Sequence, residues 1–158
     1  MGNSGGSLAT QCSTGELHQL MRAAGFTGIE DTEARAEGWG VTEFADAGQR
    51  SLAALVQKTG TPAVMVSFVD SDLGFVEAAT PEGSTWEGLL NRELAEDYEI
   101  PLEQFPVEPA VAGALAWSTA AGLTPDEKAI RQTLTGSALF AEELSSRLMA
   151  ALGLPAAT

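Results

Sequence analysis

The stretch AVMVSFVDSDLGFVEAAT, residues 63–80, decides the predicted fold. Residues 63–69 are rich in β-branched and aromatic residues and almost continuously apolar, which is typical of a strand buried on both faces. Turn-forming residues occupy 70–74, and residues 75–80 resume the strand pattern. The sequence therefore predicts a β-hairpin over about 63–80.

Apolar residues recur at helical spacing on both sides of this hairpin. A helix start is indicated near residue 125 by Thr124 as the N-cap, followed by Pro125 and Glu127 in the first turn. The patterns predict helices over about 14–24, 42–58, 84–98 and 109–121, and either one helix or two over 125–152.

The connecting segments carry weaker signals. Residues 29–36 fit a short, polar edge strand between two turns. Residues 100–109 hold three prolines and predict an extended connection. The glycine- and serine-rich start of the chain predicts that residues 1–12 form a flexible leader. Residues 13–158 then form a single α+β domain, mainly helical and packed on a small antiparallel sheet that contains the hairpin.

Composition excludes several kinds of site. The chain has one cysteine, Cys12, and one histidine, His18, which excludes an intramolecular disulfide and any zinc site built from several thiolates or imidazoles. This cysteine usage favours a reducing, cytoplasmic location. The longest apolar run is shorter than the roughly 20 residues that a membrane helix needs. The sequence predicts no metal, no cofactor and no membrane association.

Charge is concentrated in the middle of the chain. The net charge is -14, and residues 61–124 include eleven acidic residues and only one basic residue, Arg92. Such a field repels phosphate backbones, so nucleic-acid binding is not expected. The same field attracts a basic protein partner, and homo-oligomerisation is also compatible with the sequence.

Three groups of residues are candidates for binding. Asp70 and Asp72, with Glu77, are oxygen ligands that a hard cation prefers, although acidic residues in hairpin loops are usually turn formers. Trp86 could line a ligand pocket with the other tryptophans or anchor the core. Glu93, Glu96 and Asp97 fall on the predicted helix over 84–98 and would present carboxylates to solvent. They are candidate partner contacts.

Two classes of function remain open on the sequence alone. The preferred one is a non-enzymatic interaction or regulatory domain that uses its acidic surface. The alternative is a small enzyme or small-ligand-binding protein that uses carboxylates and a tryptophan-lined pocket. That alternative requires carboxylates to converge in one cleft.

Overall fold

An antiparallel β-sheet runs through the middle of the protein in a computed structural model, which describes residues 4–12, 14–45 and 50–156. Within these residues the sheet has six strands: β1 (Gly6–Gln11), β2 (Glu33–Ala34), β3 (Trp39–Phe44), β4 (Ala63–Val69), β5 (Leu73–Ala79) and β6 (Thr85–Leu90). Their spatial order is β2-β3-β1-β4-β5-β6, and each neighbouring pair is antiparallel.

Helices cover both faces of the sheet. The described residues contain five: α1 (Thr14–Ala23), α2 (Leu52–Thr59), α3 (Val107–Ala120), α4 (Glu127–Thr135) and α5 (Ala141–Leu152). On one face, Leu17 of α1 and Leu55 of α2 share a buried cluster with Met65. On the other face, α3, α4 and α5 share a larger cluster with Val66. The predicted α+β class and the helix over 14–24 are confirmed, and the sheet is larger than predicted.

The predicted hairpin is confirmed as β4 and β5, which pair along their whole length. Val64, Val66 and Phe68 belong to the cluster under α3 to α5, whereas Ala63 and Met65 belong to the cluster under α1 and α2. Because helices cover both faces here, β4 needs apolar side chains at successive positions rather than an alternation.

The predicted helix over 42–58 is wrong for its first half. Trp39–Phe44 is strand β3, which pairs with β1, and α2 begins only after Ser51. The Ser51 hydroxyl accepts a hydrogen bond from the backbone N–H of Ala54, at 3.1 Å. The apolar residues of this segment have a spacing that fits a strand as well as a helix. Hydrogen bonding with β1 stabilises the strand. Residues 46–49 of the predicted helix lie outside the described residues.

The predicted helix over 84–98 is also wrong, because its first half is strand β6. Trp86 is buried and Glu87 is exposed, as the alternating sides of a strand require. Asn91, in the left-handed region at φ 66°, leads the chain out of the strand. Two 3-10 turns follow, Arg92–Leu94 and Glu96–Tyr98.

The predicted flexible leader over 1–12 is wrong for residues 6–11, which form β1 in the middle of the sheet between β3 and β4. Leu8 is completely buried. A Cβ on Gly6 would clash with Cζ of Phe44, so only glycine at this position leaves room for the Phe44 ring in the core. Glycine here serves close packing rather than flexibility. The first three residues lie outside the described part of the chain.

Two connecting segments differ in detail from their predictions. The edge strand expected over 29–36 is reduced to the two residues of β2, Glu33–Ala34. The connection expected to be extended over 100–109 contains a 3-10 turn, Leu102–Gln104, and α3 begins before Pro109. Proline is tolerated there because backbone N–H groups in the first helical turn have no partner within the helix.

The C-terminal half contains two helices within 125–152, α4 and α5, which are separated by a segment over residues 136–140 that begins at Gly136. The predicted N-cap at Thr124 is wrong. Asp126 is the N-cap of α4, and its Oδ1 accepts a hydrogen bond from the backbone N–H of Ala129, at 3.1 Å. The helix therefore starts two residues later than the sequence suggested.

Candidate functional site

A groove opens on the sheet face that carries α1 and α2, over β4, β5 and β6. It lies between two apolar clusters of that face, one built around Leu55 and Met65 and the other around Leu73 and Leu89. Its volume is about 250 Å³. Seven residues line the groove: Met65, Ser67, Phe75, Val76, Glu77, Glu87 and Phe105.

Two glutamates stand side by side in this groove. Glu77 on β5 and Glu87 on β6 are directly opposite each other in the strand register, so their side chains leave the same face. Glu77 is partly buried and Glu87 is exposed. Like charges at directly opposed positions destabilise a sheet. The pair is therefore an unfavourable element of the folded protein.

The surroundings shift the pKa of the Glu77 carboxyl. Burial raises this pKa above its ordinary value, and the negative charge of Glu87 raises it further. The positive charge of Arg50 acts in the opposite direction and is the smallest of these three effects. Glu77 thus holds its proton to a higher pH than an exposed glutamate does.

Arg50 is held at the edge of the groove. Its guanidinium carbon lies 5.1 Å from the centre of the Phe44 ring, a cation–π distance. Its Nη2 donates a hydrogen bond to the hydroxyl of Ser67, which lines the groove, at 3.1 Å. The guanidinium is therefore anchored at the edge of the groove, where its charge acts on Glu77.

Aromatic rings form one wall of the groove. The rings of Phe75 and Phe105 pack with their centres 5.7 Å apart. Arg92 holds the segment that carries Phe105, because its Nη1 donates to the carbonyl of Phe105 at 2.5 Å and its Nη2 donates to that of Leu102 at 3.5 Å. Arg92, the only basic residue between positions 61 and 124, thus stabilises the chain that forms this wall.

The structure places Glu93, Glu96 and Asp97 on the 3-10 turns after β6 rather than on a helix, and all three are exposed. Glu93 and Glu96, together with Glu99 and Glu103, line a shallow surface depression. None of these residues enters the groove, and the segment that carries them leads directly into Phe105.

Asp70 and Asp72 lie in the tight turn between β4 and β5. The Oδ2 of Asp72 accepts a hydrogen bond from the Tyr98 hydroxyl at 2.5 Å. This bond is the largest of several causes, with burial and nearby negative charges, that raise the pKa of Tyr98 to about 12. The side-chain amide of Asn91 donates to the backbone carbonyl of Asp72 at 2.7 Å. Asp72 therefore fixes the turn, away from Glu77 in the groove. Among the described residues, no group of three or more His, Cys, Asp or Glu side chains could hold a metal ion.

Trp86 points to the opposite face of the sheet from Glu87 and packs beneath α3 with 6% of its surface exposed. Trp39 and Trp117 lie in the same cluster, with their ring centres 6.3 Å apart. The three tryptophans thus contribute to the core between the sheet and α3, α4 and α5.

Sequence reasoning missed the pairing of Glu77 with Glu87. It grouped Glu77 with the turn acids and assigned Glu87 to a helix start. The available signal was the alternation Thr85-Trp86-Glu87-Gly88 after a turn at Pro81, which fits a third strand next to the hairpin. A third strand would have placed the two glutamates on neighbouring strands.

Comparisons of the chain with family models, curated proteins and solved structures found no match. No helix in the described ranges is both long and apolar enough to cross a membrane. The function must therefore be inferred from the groove and the charge around it.

Proposed function

We propose that this protein binds a basic protein partner and that the groove takes up a lysine or arginine side chain of that partner. The observation that carries the proposal is the direct opposition of Glu77 and Glu87 in a groove with apolar walls. A cation between the two carboxylates would convert an unfavourable pair into two favourable interactions.

The walls of the groove suit the rest of such a side chain. Lysine and arginine bury their methylene groups against apolar surface while the charged end stays near polar groups. Met65 and Phe75 supply apolar surface, and Phe75 and Phe105 supply rings for cation–π contact. The volume of about 250 Å³ lies below the roughly 300–1,000 Å³ of pockets for drug-sized molecules, which favours a single side chain.

The charge around the groove supports a basic partner. Glu93, Glu96, Glu99 and Glu103 are exposed on the segment that leads to Phe105. Arg92, in the same segment, donates to backbone carbonyls. A surface of this sign accelerates the approach of a positively charged partner, and the effect weakens as salt shortens the screening length to about 8 Å at 0.15 M.

A second function is favoured by one observation, the raised pKa of Glu77 beside Glu87. A carboxyl group whose raised pKa lets it keep its proton longer, next to a second carboxyl group, is an arrangement that general acid–base catalysis uses. The other groove-lining residues are Met65, Val76, two phenylalanines and Ser67, whose hydroxyl accepts from Arg50. This lining fits binding better than it fits bond cleavage.

The test is a titration of isotope-labelled protein with two synthetic peptides, followed by NMR. One nine-residue peptide carries three lysines separated by glycine and serine, and the other has norleucine in place of the central lysine. We expect the lysine peptide to shift signals from the groove and the norleucine peptide to bind at least about tenfold more weakly, a difference of about 1.4 kcal/mol.

Variants locate the binding. The double variant Glu77→Gln, Glu87→Gln should weaken lysine-peptide binding by about tenfold or more, because it removes both carboxylates without changing side-chain size. Glu82→Gln, in the exposed turn between β5 and β6, makes the same type of change outside the groove and should have little effect. Equal binding by the double variant and the wild type, or equal binding of both peptides, contradicts the proposal.

A further inference from the structure

Two large apolar side chains are exposed at neighbouring positions in the loop between α4 and α5, residues 136–140. Leu139 has 76% of its surface exposed and Phe140 has 51%. Among the described residues, Leu102 at 40% is the only other large apolar residue that is exposed. Scattered single apolar residues are normal on a protein surface, so the pair at 139 and 140 requires a separate explanation.

Phe140 is at the N-cap position of α5, and its side chain makes no capping hydrogen bond. Ser, Thr, Asp and Asn are preferred at this position because their side chains accept a hydrogen bond from a backbone N–H of the first helical turn. A phenylalanine cannot accept such a bond. The residue type at position 140 therefore does not serve the stability of α5.

The backbone of the loop is held on both sides of the exposed pair. Before the pair, Nδ2 of Asn91 donates to the carbonyl of Ala138 at 3.1 Å, and Oδ1 of Asn91 accepts from the Ala138 N–H at 3.3 Å. After the pair, the N–H of Ala141 donates to the carbonyl of Ser71 at 2.7 Å. Because the backbone is fixed in advance, the pair loses less conformational entropy when it binds.

The turn that meets the loop keeps a residue that its backbone disfavours. Asp70 and Ser71 both have positive φ, 54° and 61°. Glycine is the preferred second residue of a two-residue hairpin turn with such dihedral angles. Ser71 instead donates from its hydroxyl to Oε2 of Glu142 at 2.8 Å. This hydrogen bond holds a carboxylate beside the loop.

Acidic residues adjoin both segments that hold the loop, and two more follow the exposed pair at the start of α5: Asp70, Asp72, Glu93, Glu142 and Glu143. Arg92 also adjoins the loop in sequence, but its guanidinium donates to backbone carbonyls. Nη2 of Arg147 lies 3.9 Å from Oε2 of Glu143. The surroundings of the exposed pair are therefore mainly negative.

We propose that Leu139 and Phe140 are the apolar contact for a basic amphipathic helix of a partner protein. Such a helix carries an apolar stripe between charged flanks. The stripe would cover the two side chains, and lysine or arginine residues beside it would meet the acidic residues around the loop. The choice of a basic partner rests on the proposed function, and the loop is a second contact outside the groove.

The charge of the protein argues against two other occupants. A second copy of this chain would bring a further net charge of -14 to the loop. An anionic membrane surface would be repelled by the same acidic residues. A basic helix is the occupant whose charge complements the loop.

The probe is a helical peptide of about 18 residues, with leucine along one face and lysine elsewhere. Its control has the same composition, with the leucines spread around the helix so that no apolar face forms. We expect the amphipathic peptide to shift the backbone NMR signals of Leu139 and Phe140 in a saturable way. The control peptide should bind at least about tenfold more weakly.

Variants locate the contact. The double variant Leu139→Ser, Phe140→Ser should bind the amphipathic peptide at least about tenfold more weakly. It should remain folded, because both positions are exposed and serine is a favourable N-cap. Leu102→Ser makes the same type of change at the remaining exposed apolar position of the described chain and should have little effect.

The variant Glu77→Gln, Glu87→Gln separates this inference from the proposed function. It should keep the peptide-induced shifts at residues 139 and 140, whether or not the groove takes up lysine. Loss of these shifts in that variant, equal affinity for the two peptides, or undiminished binding by the double serine variant would overturn the inference. So would an equal loss in Leu102→Ser, or binding to phosphatidylcholine vesicles that the double serine variant abolishes.

Discussion

Glu77 and Glu87 face each other across neighbouring antiparallel strands, on a sheet face that helices cover elsewhere. A like-charged pair at this position opposes folding, and burial of Glu77 adds to the cost of ionising it. Features that reduce stability without a structural benefit are typical of binding sites. The pair thus connects the stability of the sheet to the binding that we propose for the groove.

This relationship predicts how stability depends on pH. Because the pKa of Glu77 is raised above its ordinary 4.5 in the folded protein, the folded state binds a proton more tightly than the unfolded state. Protonation of Glu77 therefore stabilises the folded state, and this stabilisation is lost as the pH rises from about 4.5 through the raised pKa. We expect Glu77→Gln to be more stable than the wild type at neutral pH, by about 0.2–1 kcal/mol.

Urea denaturation at neutral pH and below the ordinary carboxyl pKa checks this prediction. The difference should disappear in acid, where protonated glutamate and glutamine are alike. Glu82→Gln serves as the control at an exposed turn position. A Glu77→Gln variant that is no more stable than the wild type at neutral pH would contradict the expected cost of the pair.

The second prediction concerns β1. Leu8 is completely buried in the middle of the sheet, so Leu8→Ala should lower the free energy of unfolding by about 3 kcal/mol, through lost burial and the cavity left behind. Chemical denaturation measures the loss. A change below about 0.5 kcal/mol, the size typical of surface substitutions, would mean that residues 6–11 behave as a leader after all.

The third prediction concerns the start of α4. Asp126→Ala should destabilise the protein by about 1 kcal/mol, because it removes the acceptor for the Ala129 N–H. Thr124→Ala, the change suggested by the sequence, should have a smaller effect, since Thr124 is exposed and outside the helix. Denaturation midpoints of the two variants decide between the positions. The reverse order of the two effects would place the N-cap at Thr124.

The fourth prediction uses the only tyrosine in the chain, Tyr98. Its hydroxyl donates to Asp72, which raises its pKa to about 12. Absorbance of the tyrosinate ion should therefore appear at higher pH than for ordinary tyrosine. In Asp72→Asn the midpoint should move down toward the usual value of about 10. A wild-type midpoint already near that value would show that the Tyr98–Asp72 bond does not form in solution.

The sequence predicts the fold best in segments where the spacing of apolar residues fits only one type of secondary structure. β4 is apolar on both faces and is followed by turn residues, which excludes an amphipathic helix. The helix over 14–24 was equally clear, because its apolar positions recur only at helical spacing. Local pattern and tertiary structure agree in both segments.

The errors fall where two periods fit the same residues. In 84–98, Trp86 and Leu90 are four apart, which suits one face of a helix and one side of a strand equally well. Hydrogen bonding to β5 stabilises the strand. The sequence of one segment does not show which other segment it will pair with. The groove was missed for the same reason, since Glu77 and Glu87 converge only after β6 is placed beside β5.

The most direct test of the proposed binding is an NMR titration of the Glu77 side-chain carboxyl carbon, alone and with saturating three-lysine peptide. Without peptide the pKa should lie above its ordinary 4.5. With a lysine ammonium between Glu77 and Glu87, the ionised form is favoured and the pKa should fall, while affinity for the peptide rises with pH over the same range. A Glu77 pKa that saturating peptide leaves unchanged would contradict a cation held in the groove.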